Sequence, residues 1–321
     1  MDRFKNIVVI ADGHKHDSHA LKRALNLAEH NQARLTLLDV IPHLHGNLLL
    51  PPKGYSVNEL EKMIIKNRKE DLDRIIRELN PGIWINSEVV MGEGFHEIIR
   101  SVQEQGFDLV MKSVVPEDRL VSFFFGSTDM HLLRQCPCPV WMIKTENKKN
   151  YKRILTAIDI SPGHDESVQE VLNLQLLEMA ASLALSEFCE LHIIHAWQVF
   201  SESMMRASRL QLEDAALDSW LSDQKTVIEN RQQEFVARFP KVLSRETMEF
   251  LTPKSHLIQG SAHKVIPAFA AEHSIDLVVM GTVGRAGVAG LFMGNTAENI
   301  LNQLNCSVIA VKPKGFISPV K

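Results

Sequence analysis

The strongest constraint on this chain is that its sequence repeats itself. CPCPVWMIK, ending at Lys144, and LNCSVIAVK, ending at Lys312, align Cys138 with Cys306, Val140 with Val308 and Lys144 with Lys312. The same spacing carries FDLVMKSVV onto IDLVVMGTV, matching Asp108 to Asp276, and GST at 126–128 onto GNT at 294–296. One residue out of that register, HEII from His96 lies over HKVI from His263. Both halves also open alike, with FKNIVVIAD ending at Asp12 and YKRILTAID ending at Asp159. Self-similarity on this scale means a tandem of two like domains, and 321 residues suffice for two hydrophobic cores. The expected domains span 1–146 and 151–321, with the polar stretch TENKKN at 145–150 as the linker.

Within each half, short β-rich apolar runs alternate with helical patterns, which predicts a parallel sheet covered by helices. The predicted strands of the first half are NIVVIA, RLTLLDVI, NSEVVM, DLVMKS and PVWMIK; those of the second are RILTAI, LHIIHA, SHLIQ, DLVVMG and SVIAVK. Long helices fall between the second and third strands. One starts at the capping box Ser56-x-x-Glu59 and repeats apolar residues at helical spacing through Leu79; another spans roughly 206–239. The fold class is α/β: two tandem doubly wound domains, each with five strands and about four helices.

In such a sheet, ligands bind beyond the carboxyl ends of the strands, where strand order reverses. Asp12 and Asp159 end the first strands, and Gly281 ends the fourth strand of the second half. If those strands are neighbours, as in a 3-2-1-4-5 order, Asp159 and the stretch GTVGRAGVAGLFMGN at 281–295 flank one crevice. Glycines let backbone approach an anion, and the following helix start offers unpaired N–H groups. Glycine clusters serve strand-to-helix turns equally well, and Asn295 with Glu298 can cap a helix without any ligand. No Gly-Lys-Ser/Thr follows, so this is not a Walker loop, and Arg285 is the nearest cation.

Gly281-x-x-Gly284, nine residues and then Gly294, preceded by an apolar strand and paired with a strand-end aspartate, resembles the ATP-binding motif of the universal stress protein family. The tandem layout, GTVGR…GNTAENIL…VIAVKP and TDMHLLRQCPCPVWMIK extend the resemblance over almost the whole chain. The resemblance implies a 3-2-1-4-5 sheet in each half, pairing of the halves, and a role in stress adaptation. It implies an ATP or ADP site, with Mg accompanying the nucleotide, built in the second half from Asp159, Ala196, Met280, Gly281, Gly284, Arg285, Gly294, Asn295 and Thr296. Ala196 and Trp197 fall at the second-strand end, near the adenine. Two departures stand out. The family places Ser or Thr after the last glycine, where this chain has Asn295; and the first half reads Ser113, Pro116, Gly126, so two of three glycines are gone and Pro116 has no N–H to offer.

Other signals are weaker. DGHKHDSH at 12–19 lacks metal-ligand spacing and reads as a polar loop; His195 reads as a core or pocket-rim histidine. VSFFFG at 121–126 is apolar where a phosphate loop belongs, which leaves a carrier or sensor of a more apolar ligand as the alternative function. A net charge of −4 gives no field for nucleic acid or anionic lipid, and the N-terminus has no secretory or spanning pattern, so the expected place is the cytoplasm. The four cysteines form no zinc-type pairs. No nucleophile motif or second carboxylate is placed for catalysis, so a non-enzymatic binding role is expected. Whether chains pair further as a homodimer stays open.

Overall fold

The computed structural model describes residues 4–11, 18–44, 54–114, 125–144, 150–161, 166–198, 214–238, 247, 250–283 and 293–321. Asp12, Pro116, Gly284, Arg285 and most of VSFFFG lie outside the described residues. The chain is an α/β protein of two compact units. Among the described residues, unit 1 holds the first half of the chain with Met293 and Ser307–Lys321, and unit 2 holds the second half up to Cys306.

Unit 1 contains β1 (Asn6–Ala11), α1 (Ser18–Asn31), β2 (Arg34–Ile41), α2 (Val57–Leu79), β3 (Ile85–Met91), α3 (Gly94–Gln105), β4 (Leu109–Val114), α4 (Ser127–Gln135) and β5 (Val140–Lys144). Its strands run in the order β3-β2-β1-β4-β5, all parallel. Unit 2 contains β6 (Arg153–Ala157), α5 (Glu166–Glu187), β7 (Glu190–Trp197), α6 (Asp214–Ala237), β8 (Lys254–Gln259), α7 (Ala262–Glu272), β9 (Leu277–Gly281) and α8 (Asn295–Leu301). Its parallel order is β9-β6-β7-β8, the 4-1-2-3 part of the expected sequence. The fifth strand of the second half, β10 (Ser307–Val311), is grouped with unit 1, where it runs antiparallel to β5 with Ile309 opposite Trp141.

Central strands read as unbroken apolar runs because helices cover both faces of a parallel sheet, and every residue of β1 and β10 is buried. Local signals set the helices. The Ser56 hydroxyl accepts the Glu59 N–H while the Glu59 carboxylate accepts the Ser56 N–H, closing the capping box at the start of α2. Asn80, in the left-handed region at φ 46°, ends that helix. The second long helix is described as Asp214–Ala237, inside the expected 206–239.

The repeated aspartate has a structural task. Asp108 accepts the N–H groups of Lys5 and Asn6 at 2.6 and 3.1 Å, and Asp276 accepts those of Lys152 and Arg153 at 2.7 and 3.0 Å. Each carboxylate thus satisfies backbone donors at the start of the neighbouring first strand. Burial pushes the Asp108 carboxyl up, and those N–H bonds oppose the shift.

Candidate functional site

β6 and β9 are neighbours, with Ala157 opposite Met280, so Asp159 just beyond one strand and Gly281 at the end of the other project from adjacent strand ends. The backbone of Asp159 is pinned from α5. Its N–H donates to the Asn173 Oδ1 at 3.1 Å, and its carbonyl accepts from the Asn173 Nδ2 at 2.7 Å. Its carboxylate accepts the Ser161 N–H at 3.1 Å, a turn that fixes the side chain over its own loop. His195 steadies the same loop from β7. It is buried, and because a carbonyl can only accept, its Nδ1 carries the proton and donates to the Ile158 carbonyl at 3.2 Å. This agrees with the reading of His195 as a core or rim histidine.

A cavity of about 260 Å³ adjoins Asp159, lined also by Ser161, Gln169, Asn173, Arg231 and Arg238. Arg238 is ion-paired with Glu170 beside it. The volume lies just below the usual range of about 300–1,000 Å³ for ligand pockets, and the lining comes from the Asp159 loop, α5 and α6, not from Ala196, Met280, Gly281 or Asn295.

Gly281 has a packing reason that the glycine pattern does not reveal. A Cβ there would come within 2.9 Å of the Leu172 Cδ2 on α5, so glycine admits the helix close to the strand end. Gly294 adopts extended backbone (φ −64°, ψ 139°) open to any residue. It stands one position before the helix, so the N-cap of α8 is Gly294 and not Asn295. No side chain caps this start; Asn295 and Thr296 form the exposed first turn. The Gly294 N–H donates to the Thr282 carbonyl at 3.0 Å, which returns the chain to the end of β9. Met280 is buried within its strand, and Ala196 is half-buried at the end of β7 opposite Ile258. The described residues therefore bring Asp159, Met280, Gly281, Gly294, Asn295 and Thr296 to one end of unit 2.

Asn173 was not singled out in the sequence. The signal is present in the repeat, because Asn26 follows Asp12 at the spacing by which Asn173 follows Asp159.

The matching place in unit 1 is built differently. Lys112 on β4 forms a buried ion pair with Asp129 in the first turn of α4, Nζ to Oδ1 at 2.9 Å, with both side chains less than a tenth exposed (9% and 7%). The second carboxylate oxygen of Asp129 accepts the Gly126 N–H at 3.2 Å. The repeat puts Met280 where Lys112 stands and Ala297 where Asp129 stands.

Comparison with known proteins follows the same division. The family profile described as the universal stress protein family matches residues 3–144 and again 150–312. Universal stress protein E of Photorhabdus laumondii is 30% identical over 331 aligned residues, covering 100% of this chain and 99% of that one. Universal stress protein E of Escherichia coli K12 is 29% identical, covering 100% and 98%. Among solved structures, a putative universal stress protein of Pseudomonas aeruginosa UCBPP-PA14 superposes with a TM-score of 0.68 at 26% identity, covering 97% of this chain and 94% of that one. With both halves matched by the family profile and a 30% identical relative aligned over the full length, this chain belongs to the universal stress protein family.

Proposed function

We propose that unit 2 binds ATP or ADP, with Mg²⁺ accompanying the nucleotide, and that the protein acts in the cytoplasm as a non-enzymatic stress-response protein. The observation that carries this reading is the Gly294 N–H bond to the Thr282 carbonyl. It ties the start of α8 to the end of β9, the strand that pairs with β6, so Gly281 and Gly294 come back together near the strand end that leads to Asp159. The residues present fit a nucleotide. Asp159 supplies a carboxylate suited to ribose hydroxyls or to Mg²⁺, and the exposed Asn295 and Thr296 offer an amide and a hydroxyl to phosphate oxygens. Mg²⁺ would screen phosphate charge. The chain's own groups here hold and orient; His195 and Asn173 are spent on fixing the Asp159 loop.

The test is mass spectrometry of the denatured, freshly purified protein, followed by calorimetric titration with ATP. A co-purified adenine nucleotide is expected, together with an affinity that falls about tenfold or more in Asp159→Ala, the loss of roughly one charge-assisted hydrogen bond. A folded Asp159→Ala variant with unchanged ATP affinity overturns the site.

A further inference from the structure

A second polar cluster lies in unit 2 toward the opening ends of β7 and β8, away from the strand ends that carry Asp159 and Gly281. It joins Glu190 and His192 of β7, Lys254 and His256 of β8, Arg153 of β6, and Phe269 and His273 at the end of α7. The His192 Nδ1 and His256 Nε2 are 3.1 Å apart, and the His192 Nε2 lies 3.3 Å from the Glu190 Oε2. The two rings are near parallel (8°) with centroids 5.2 Å apart. That separation exceeds the nitrogen gap by about the width of one ring, so the rings meet edge to edge and the contact is an in-plane hydrogen bond.

The protons on this chain can be placed by elimination. An ionised carboxylate only accepts, and the Lys254 ammonium, His192 and Arg153 hold Glu190 below the usual carboxylate range. The His192 Nε2 therefore carries a proton and donates to Glu190. A neutral imidazole then presents a lone pair at Nδ1, so the His256 Nε2 carries the proton of the shared bond. One proton lies between the two rings, and there is no place for two.

We propose that the Glu190–His192–His256 chain is a proton-sensitive latch, which ties the outer strand β8 to β7 while both imidazoles are neutral and releases it on acidification. A proton added to the His192 Nδ1 would set donor against donor across the 3.1 Å contact. A proton added to the His256 Nδ1 would create a cation facing Lys254 and His273. The surroundings disfavour both. Lys254 and Arg153 approach Glu190 at 3.1 and 3.4 Å, Arg153 also donates to the His273 carbonyl, and Gln232 of α6 donates to the His256 carbonyl. His273 stacks on Phe269 at 3.9 Å, and Phe269 packs on His256 at 4.6 Å. Burial is the leading cause that lowers both His192 and His256, the latter to about 4. The unfolded chain, with histidines near 6.5, binds more protons than the folded unit. The stabilisation is thus complete above the ordinary histidine value and is lost as pH falls from about 6.5 toward about 4.

Hydrogen exchange of the full chain at about pH 7.5 and about pH 5, corrected for intrinsic rates, reads the latch directly. Opening of β8 should rise on the order of tenfold or more at the lower pH, while β3, the outer strand of unit 1, changes little. His256→Gln keeps an N–H donor toward His192 but cannot titrate, and should remove most of that pH dependence. Nitrogen-15 spectra of the unmodified protein give a second readout that needs no variant: both rings protonated at Nε2 at about pH 7.5, and the His256 ring still neutral at about pH 5.5. An ordinary His256 midpoint near 6.5, or equal pH dependence in His256→Gln and the parent, overturns the proposal.

Discussion

At the end of β4, unit 1 carries Lys112; at the same place in the repeat, β9 of unit 2 carries Met280. Seventeen residues later the contrast recurs, with Asp129 against Ala297. Both positions are buried in both units. In unit 1 the pair forms an internal ion pair whose carboxylate also accepts the Gly126 N–H at the start of α4. In unit 2 the same positions are apolar, and the equivalent Gly294 N–H turns to a backbone carbonyl instead. One fold has thus been given two electrostatic solutions at its strand ends. In unit 1 the start of α4 faces a carboxylate of its own chain, neutralised by Lys112, where unit 2 has Ala297. The departures of the first half from the glycine pattern fall at Ser113 and Pro116. Ser113 is buried at the end of β4, and Pro116 lies outside the described residues.

The comparison can be broken most forcefully at Asp129. Asp129→Ala leaves the Lys112 ammonium buried without its counter-ion and should cost unit 1 about 3–5 kcal/mol in denaturant unfolding, whereas Lys112→Met with Asp129→Ala, which copies unit 2, should recover most of that loss. Equal stability of the single and double variants would show the pair to be of no consequence. Next in size is Gly281→Val. The added side chain meets Leu172, so unit 2 should lose about 1–3 kcal/mol with or without nucleotide, and Leu172→Ala should relieve part of the clash. A variant with wild-type stability but weakened ATP binding would return that glycine to the ligand.

Asn173→Ala removes two hydrogen bonds that hold the Asp159 backbone and should cost about 1–2 kcal/mol of stability in thermal unfolding, with a weaker ATP titration because the loop that carries the carboxylate is loosened. An effect seen only in the alkaline range is expected at Lys312, where burial lowers the amine to about 7 and its ammonium donates to the Leu133 carbonyl in unit 1. A folded value below the unfolded one means that stability falls as pH drops from about 10.5 to about 7 and then levels. Lys312→Met should flatten that slope between about pH 7 and 10, measured by urea midpoints.

Much of the fold was legible because its signals are local. The apolar runs of β1, β2 and β9 appear within a residue or so of their expected bounds, since strands covered on both faces need unbroken apolar sequence. The start of α2 was legible because a capping box is completed within four residues. The candidate site was legible only in outline. Asp159 and Gly281 could be placed at strand ends, but that Gly281 admits Leu172, and that Gly294 rather than Asn295 caps α8, depends on side chains and backbone angles from elsewhere in the chain.

By itself the sequence determined the tandem repeat, the strand and helix order, and which half keeps the glycine pattern, because periodicity and capping act between near neighbours. Only the tertiary structure decided where charge goes. Lys112 and Asp129 become partners through the packing of a strand under a helix, and β10 runs antiparallel to β5 although the two are written far apart. Likewise His192 and His256 meet across two strands separated by a long helix. Burial and partner choice are properties of residues brought together from distant segments, and one residue's neighbours in sequence carry no record of them.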